Sequence, residues 1–345
     1  MFKKRIVMAT LLLVGSALSS CGESVHPLSD YVRELSYKDG FKILQLADIH
    51  WNMATNVKTQ SDYLSEVVRV ADPDLIVCTG DQFLTANQAT VLNLFKLFES
   101  WNIPYAMTWG NHDRQGDYSP EFLSLEASKG KNSLYTEVND LITGRSNYVI
   151  NIKSDTKVEW QIYCIDSNSV IADGLSLKYS YDYIHEDQIV WYTQQAEAAK
   201  TANGGSYVPS LSYFHIPTWE FKASKDDDGT RRSKEWGTLN EGFSTSKTDS
   251  KFFDAAKARG TKGMFIGHDH ANDYTSTYDG VVLGYGVKTG RELYYSTVKK
   301  EDRPSLPHDI DLIGGSLVTL HQGGSFDLEH LFISDSTYEC IREAY

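Results

Sequence analysis

The chain is poor in cysteine. Its 345 residues hold only Cys21, Cys78, Cys164 and Cys340, too few and too scattered for a disulfide framework or a cysteine-based zinc site. No basic stripe offsets the formal net charge of −13, which argues against a stable nucleic-acid partner, because a long polyanion needs a track of cations. An anionic substrate is still allowed, since bound cations reverse a local field. There is no internal repeat, no low-complexity tract and no interdomain linker after residue 40. The apolar run Ile6 to Leu18 falls short of the ~20 residues that a membrane-spanning helix needs. What the chain does have is core material. It is 41% apolar and 12% aromatic, which excludes global disorder and suits one large domain or two ordinary ones.

Residues 1–20 read as a leader, with Lys3, Lys4 and Arg5 ahead of the apolar run, the order of a secretory signal. Leu18-Ser19-Ser20-Cys21 is similar to a bacterial lipoprotein cleavage box. That similarity implies lipid on Cys21, an anchor to a bacterial membrane and an extracytoplasmic location. The simpler alternative is an ordinary secretory signal ending beside an accidental cysteine. Residues 21–40 are polar and read as a tether and lead-in, and residues 41–345 as the domain. Cys78 and Cys164 sit in apolar, strand-like runs, as buried free thiols do.

From Phe41 the pattern is α/β. Phe41 to Leu46, Leu75 to Thr79 and Ile103 to Trp109 read as strands. Between them Leu64, Val67, Val68 and Ala71, then Val91, Leu94, Phe95 and Phe98, recur at helical spacing. This order predicts parallel neighbours joined by right-handed crossovers, with ligands outside the carboxyl ends of the strands. Ser119-Pro120 opens a further helix closed near Gly130, and Asn147–Ile152 with Val158–Asp166 predicts a hairpin. Glu186–Lys200 reads as a helix, Val208–His215 as a strand and Lys251–Arg259 as a short helix. Residues 220–247 are polar and read as a long surface loop, and the remainder as strands of a second sheet.

Five segments carry chemistry: Ala47-Asp48-Ile49-His50, Thr79-Gly80-Asp81, Gly110-Asn111-His112-Asp113, Tyr213-Phe214-His215 and Gly267-His268-Asp269-His270. Hard oxygens and imidazoles at strand tips are how a protein fixes two divalent ions side by side. Asp48 and His50 alternate along the chain, so both face one pocket only if it bends there. Gly267 would free His268 and His270 to do the same. Asp81 can bridge two ions and Asn111 offers a neutral oxygen. The mix suits Mn, Fe or Zn better than calcium, which prefers oxygen cages. A lone His50 or His215 would be read as structural; five such segments together reverse that reading.

These segments resemble those of the calcineurin-like metallophosphoesterase superfamily, with its D-x-H, G-D, G-N-H-D/E, lone H and G-H-x-H, here in order over residues 48–270. Through Phe214-His215-Ile216-Pro217 and Gly267–Asp273 the chain is similar to the Icc-type, purple acid phosphatase-like branch. The resemblance implies an α/β fold, a four-layer α/β/β/α sandwich of two mixed sheets with metals at the strand carboxyl ends. It implies hydrolysis of phosphomonoesters or phosphodiesters by in-line attack of a metal-bound hydroxide. By position, Asp48, His50 and His270 would hold one ion, Asn111, His215 and His268 the other, and Asp81 both. His112 would protonate the leaving group or bind a phosphoryl oxygen, oriented by Asp113. Purple acid phosphatases carry a tyrosine three residues after the bridging aspartate; Leu84 stands there in this chain, which argues against a tyrosinate–Fe(III) centre.

Two rival functions share this pattern, a catalytically weak surface lipoprotein acting as a binding module and a nuclease. Asp269 reads as a non-ligand, and His26, His185, His308, His321 and His330 lack motif context. Arg114, Arg231, Arg232 and Arg291 are read as solvated rather than as phosphate clamps. Trp51, Tyr118, Trp219 and Trp236 are either pocket wall or core, and the sequence does not choose. Nothing in it sets the oligomeric state.

Overall fold

The computed structural model describes residues 27–85, 87–115, 119–136, 142–155, 157–172, 179–334 and 336–345. The leader, Cys21, His26 and Tyr118 lie outside these. Two mixed sheets stack face to face. One has six strands, in the order Cys340–Ala344, Phe326–Ile333, Gly314–Leu320, Phe41–Leu46, Leu75–Thr79 and Tyr105–Thr108. Its last three strands are parallel, as the β-α-β-α-β rhythm predicts, and the rest antiparallel. The other has eight strands, in the order Val32–Ser36, Tyr148–Lys153, Val158–Cys164, Ser210–Tyr213, Thr261–Ile266, Val281–Tyr285, Thr275–Tyr278 and Arg232–Trp236.

Period-two alternation makes the layers. In the strand Val158–Cys164 and just beyond it, Ile162 and Cys164 pack into the core between the sheets, while Tyr163 and Ile165 pack outward with Trp191 and Tyr192. Helices therefore cover both outer faces. Val57–Ala71 and Gln88–Ser100 bury Leu64, Val67, Leu94 and Phe98 on the six-stranded side. Glu186–Ala202, Trp219–Asp226 and Phe252–Lys257 cover the eight-stranded side with Trp191, Phe221 and Phe252. Asn56 and Asn87 cap the first two helices, each accepting a backbone N–H three residues on. The buried amide of Gln45 stitches the layers, donating to Thr79 Oγ1 (3.0 Å) in its own sheet and to the Ile266 carbonyl (2.9 Å) in the other. Cys78, Cys164 and Cys340 are free, the first two buried.

Two sequence expectations fail. Residues 21–40 are not all tether: Val32–Ser36 pairs in parallel with Tyr148–Lys153 as an edge strand. Its outer side faces solvent, so its residues carry too much polarity to read as a strand. Residues 220–247 are not one loop either. They hold most of the helix Trp219–Asp226 and the edge strand Arg232–Trp236, which pairs antiparallel with Thr275–Tyr278. Edge strands are commonly charged, which blunts them against aggregation and hides them from a hydrophobicity reading.

Candidate metal centre

The named segments meet where strand carboxyl ends of the two sheets adjoin. Phe41–Leu46, Leu75–Thr79 and Tyr105–Thr108 lead into Asp48, His50, Asp81 and Asn111, and Ser210–Tyr213 and Thr261–Ile266 lead into His215, His268 and His270. All seven of these side chains are buried. Asp48, His50, Asp81 and His270 bring ligand atoms within 4.8 Å of one another. On the other side, His215 Nε2 lies 3.1 Å from Asn111 Oδ1, 3.1 Å from His268 Nδ1 and 3.3 Å from Asp81 Oδ2.

The local backbone explains how residues two apart reach one pocket. Asp48, His50, Asp81 and His268 all have positive φ, at 52°, 49°, 52° and 83°. Aspartate tolerates this left-handed region; histidine is strained there, typically by ~1–3 kcal/mol, and such strain gathers at functional sites. Two glycines make room. Gly80, at φ +85°, would place a Cβ 2.4 Å from His215 Nδ1, and a Cβ on Gly267 would lie 2.5 Å from Asp48 Oδ2. Gly267 thus serves by its missing side chain, since its φ is not in the left-handed region.

Backbone groups aim the ligands. The His268 N–H donates to both Asp48 oxygens (3.1 and 3.0 Å), and the His112 N–H donates to Asp81 Oδ1 (2.8 Å). His215 Nδ1 is tied to the Thr79 carbonyl at 2.9 Å, which turns the bare Nε2 inward. Ser167 Oγ accepts the N–H groups of His215 and Ile216 (3.2 and 2.8 Å). His50 Nδ1 sits 3.1 Å from the Asp48 carbonyl and 2.8 Å from Lys288 Nζ, so its Nε2 faces Asp81 Oδ2 at 3.5 Å.

The electrostatics ask for a cation. Burial would raise the carboxyls of Asp48 and Asp81, yet the surrounding imidazoles, His270 and His215 foremost, hold both below the ordinary range. Burial would lower His215, but Asp81 and Asp48 hold it up to about 10. Burial and the neighbouring His215 push His268 down to about 3. His50 is pushed down to about 4 by burial and Lys288. Among the described residues the buried atoms His50 Nε2 and Asp81 Oδ2 have no hydrogen-bond partner. Lone pairs of nitrogen and oxygen converging in a dry pocket fit a divalent cation.

Asp113 requires a correction. It is fully buried and its carboxylate accepts the N–H of Gly110 (2.8 Å) and of Phe83 (3.0 Å). It anchors the loops bearing Asn111 and Asp81 and does not orient the His112 ring. That ring is half-buried and stands 5.3 Å, edge to face, from the ring of His50. Asp269 is buried and engaged elsewhere: it accepts the Tyr285 hydroxyl (2.6 Å) and the Ser244 N–H (3.1 Å). Among the wall candidates Trp51 is core, Trp236 stacks on His330, and Trp219 is partly exposed.

Sequence reasoning missed Lys288, Tyr181 and Tyr294. Lys288 is buried, donates to the Asp48 carbonyl (2.9 Å) and is lowered to about 8, chiefly by burial. The Tyr181 ring meets His268 edge-on at 4.3 Å, and the Tyr294 ring lies 4.7 Å from that of His270. None of the three belongs to a motif. The only signal for Lys288 is its place just past the strand Val281–Tyr285, whose carboxyl end points the same way as its parallel neighbour Thr261–Ile266.

The comparisons with known proteins agree with this geometry. The chain is 31% identical over 295 residues to probable inactive purple acid phosphatase 29 of Arabidopsis thaliana, covering 74% of this chain and 73% of that one. It is 26% identical to probable inactive purple acid phosphatase 14 of the same plant, over 85% of this chain and 82% of that one. To phosphatase DCR2 of Saccharomyces cerevisiae it is 28% identical, over 71% of this chain and 47% of that one. The family model for calcineurin-like phosphoesterase matches residues 41–272, from the first strand of the six-stranded sheet to just past His270, and the chain belongs to that family.

Proposed function

We propose that the protein hydrolyses phosphomonoesters or phosphodiesters at a centre of two divalent ions. One observation carries this reading. Asp81 Oδ2 has no hydrogen-bond partner among the described residues and lies between His50 Nε2 (3.5 Å) and His215 Nε2 (3.3 Å), one imidazole from each proposed ligand set. Asp48, His50 and His270 would hold one ion and Asn111, His215 and His268 the other, with Asp81 shared. When bound, such ions supply a nucleophilic water near neutral pH and neutralise phosphoryl oxygens. His112, beside Asn111 and half exposed, donates a proton to the leaving oxygen. Asp113 holds the loops of Asn111 and Asp81 in place.

A second reading has one observation behind it. The two Arabidopsis relatives carry the words "probable inactive" in their names, which favours a binding module on the same fold. The full set of candidate ligands and His112 favour catalysis in this chain. The test is turnover of p-nitrophenyl phosphate, bis-p-nitrophenyl phosphate and cyclic nucleotides by the purified protein with added Mn. We expect turnover of at least one, lost on chelation and restored by metal. A protein with two bound ions and no turnover would sink the enzymatic reading; preference for DNA or RNA would make it a nuclease.

The location belongs to the same proposal. Lipid on Cys21 would hold the domain at a bacterial membrane, outside the cytoplasm, where two or more acyl chains anchor stably. Detergent partitioning of wild type and Cys21→Ala tests it. A wild-type chain found wholly in the aqueous phase would refute the anchor.

A further inference from the structure

Tyr294 and Tyr181 stand at the rim of the centre without a part in holding it. Tyr294 is 53% exposed, and its ring lies 4.7 Å from that of His270. Tyr181 is half-buried and meets His268 edge-on at 4.3 Å. The two rings therefore flank one histidine from each proposed ligand set. The placement of Tyr294 is built. The Tyr294 hydroxyl donates to Glu241 Oε2 (2.8 Å), and Glu241 Oε1 accepts the Ala271 N–H (2.6 Å), directly after His270. The Glu241 segment is clamped in turn. Asn272 Oδ1 accepts the N–H groups of Asn240 and Glu241 (2.9 and 3.1 Å), and Asp273 Oδ1 accepts that of Thr238 (2.7 Å). Leu293, just before Tyr294, holds a left-handed φ of 63°. A branched side chain takes that conformation only where the surroundings impose it, and such strain collects at ligand sites.

Resting on the phosphoesterase reading, we infer that Tyr294 and Tyr181 are specificity-determining residues that receive the leaving group, and that the substrates are phosphate esters of a flat, ring-bearing, uncharged alcohol. An aromatic wall gains by offset or edge contact with a planar ring and gains little from a short alkyl chain. The Glu241 carboxylate, bonded to the Tyr294 hydroxyl at 2.8 Å, brings negative charge to this wall. A leaving group with further phosphates would meet that negative charge. Glu241 is a positioning residue: it acts through Tyr294.

The experiment uses the full metal-loaded protein. It compares kcat/KM for benzyl phosphate with that for propyl phosphate, whose leaving alcohols are of similar acidity, and the affinity for phenylphosphonate with that for methylphosphonate by calorimetry. Wild type should prefer the ring in both. Tyr294→Leu and Tyr181→Leu should each cut the preference about fivefold to tenfold, the reach of a ring–ring contact. Tyr294→Phe, which keeps the ring, should restore most of it, and Glu241→Gln should cut it about threefold through KM. Metal content read alongside separates loss of the wall from loss of the centre. A wild type with no ring preference, or leucine variants that keep it, overturns the inference while the phosphoesterase reading stands. A wild type that cleaves neither ester but binds phenylphosphonate through Tyr294 sustains the wall and sinks hydrolysis instead.

Discussion

The two sheets bring unlike halves to the centre. The six-stranded sheet contributes the oxygens, Asp48, Asp81 and Asn111, with one imidazole, His50; the eight-stranded sheet contributes only imidazoles, His215, His268 and His270. Negative charge is thus gathered on one layer and its neutralising partners on the other. Asp48 and Asp81 lie within one cluster, both buried, and the charge of Asp81 works against that of Asp48. Such a pair is costly unless something faces it. What faces it crosses the sheet boundary: the His268 N–H on Asp48 and His215 beside Asp81. Each proposed ligand set also draws on both sheets. The difference teaches that neither layer is a metal site alone, and that the packing of the sheets makes the centre.

The sharpest way to break this division is at its shared residue. Asp81→Ala should remove both ions, whereas Asn111→Ala or His270→Ala should remove one. The loss of affinity should exceed the ~10–100-fold that outer partners of a metal site cost. Metal content of the purified variants checks this, and an Asp81→Ala chain that keeps two ions would mean that each sheet holds its own.

Next in size is a change on the oxygen-rich side that leaves the ligands alone. His112→Ala should keep the metals and slow turnover by ~10²–10⁴, the usual worth of a general acid. The loss should be greater for alkyl than for nitrophenyl esters, because a poor leaving group needs the proton most. Equal losses on both would assign His112 to phosphate binding.

A smaller effect probes how each half pins its imidazole. His215 is fixed by a backbone carbonyl, that of Thr79, whereas His50 depends partly on the Lys288 side chain. Lys288→Met should therefore weaken the ion of the Asp48 set by ~10–100-fold and spare the other. Metal titration should show two unequal sites. Uniform weakening of both would say that Lys288 acts through its charge and not through the ring of His50.

The same division shows what the sequence could reveal. Candidate ligands at the tips of short, largely buried strands were legible, because the strand signal and the motif sit next to each other: Leu75–Thr79 runs straight into Asp81. The parallel strands of the six-stranded sheet followed from that rhythm, whereas the four-layer sandwich was an expectation of the family resemblance. Lys288 and Tyr294 reach the centre only through the register of the eight-stranded sheet and a left-handed turn at Leu293, and neither leaves a local pattern. Arg232–Trp236 and Val32–Ser36 were hidden by edge polarity. Asp113 was expected, through the family resemblance, to orient His112, whereas its carboxylate turns to the backbone of Gly110 and Phe83.

The smallest effect compares two buried histidines with opposite surroundings. Burial pushes both His215 and His330 toward the neutral form, but the outcome depends on what stands beside each. His215 faces carboxylates and is held up to about 10; His330 lies near Arg303 and is pushed down to about 3. His330 is tied to Ser316 Oγ (2.8 Å) and stacks on Trp236 at 4.4 Å. The signs follow by linkage. For His330 the unfolded chain, titrating near 6.5, binds the proton that the folded chain refuses. Its contribution is complete above pH 6.5 and is lost as the pH falls toward 3, at up to ~1.4 kcal/mol per unit. In metal-free protein His215 runs the other way, complete below pH 6.5 and lost as the pH rises toward 10. Urea midpoints of chelated wild type and His330→Gln should therefore converge between pH 6.5 and 4, and those of wild type and His215→Asn should converge between pH 7 and 9. A constant gap for His330→Gln across the acid range would show that His330 titrates normally, and the contrast between the two environments would collapse.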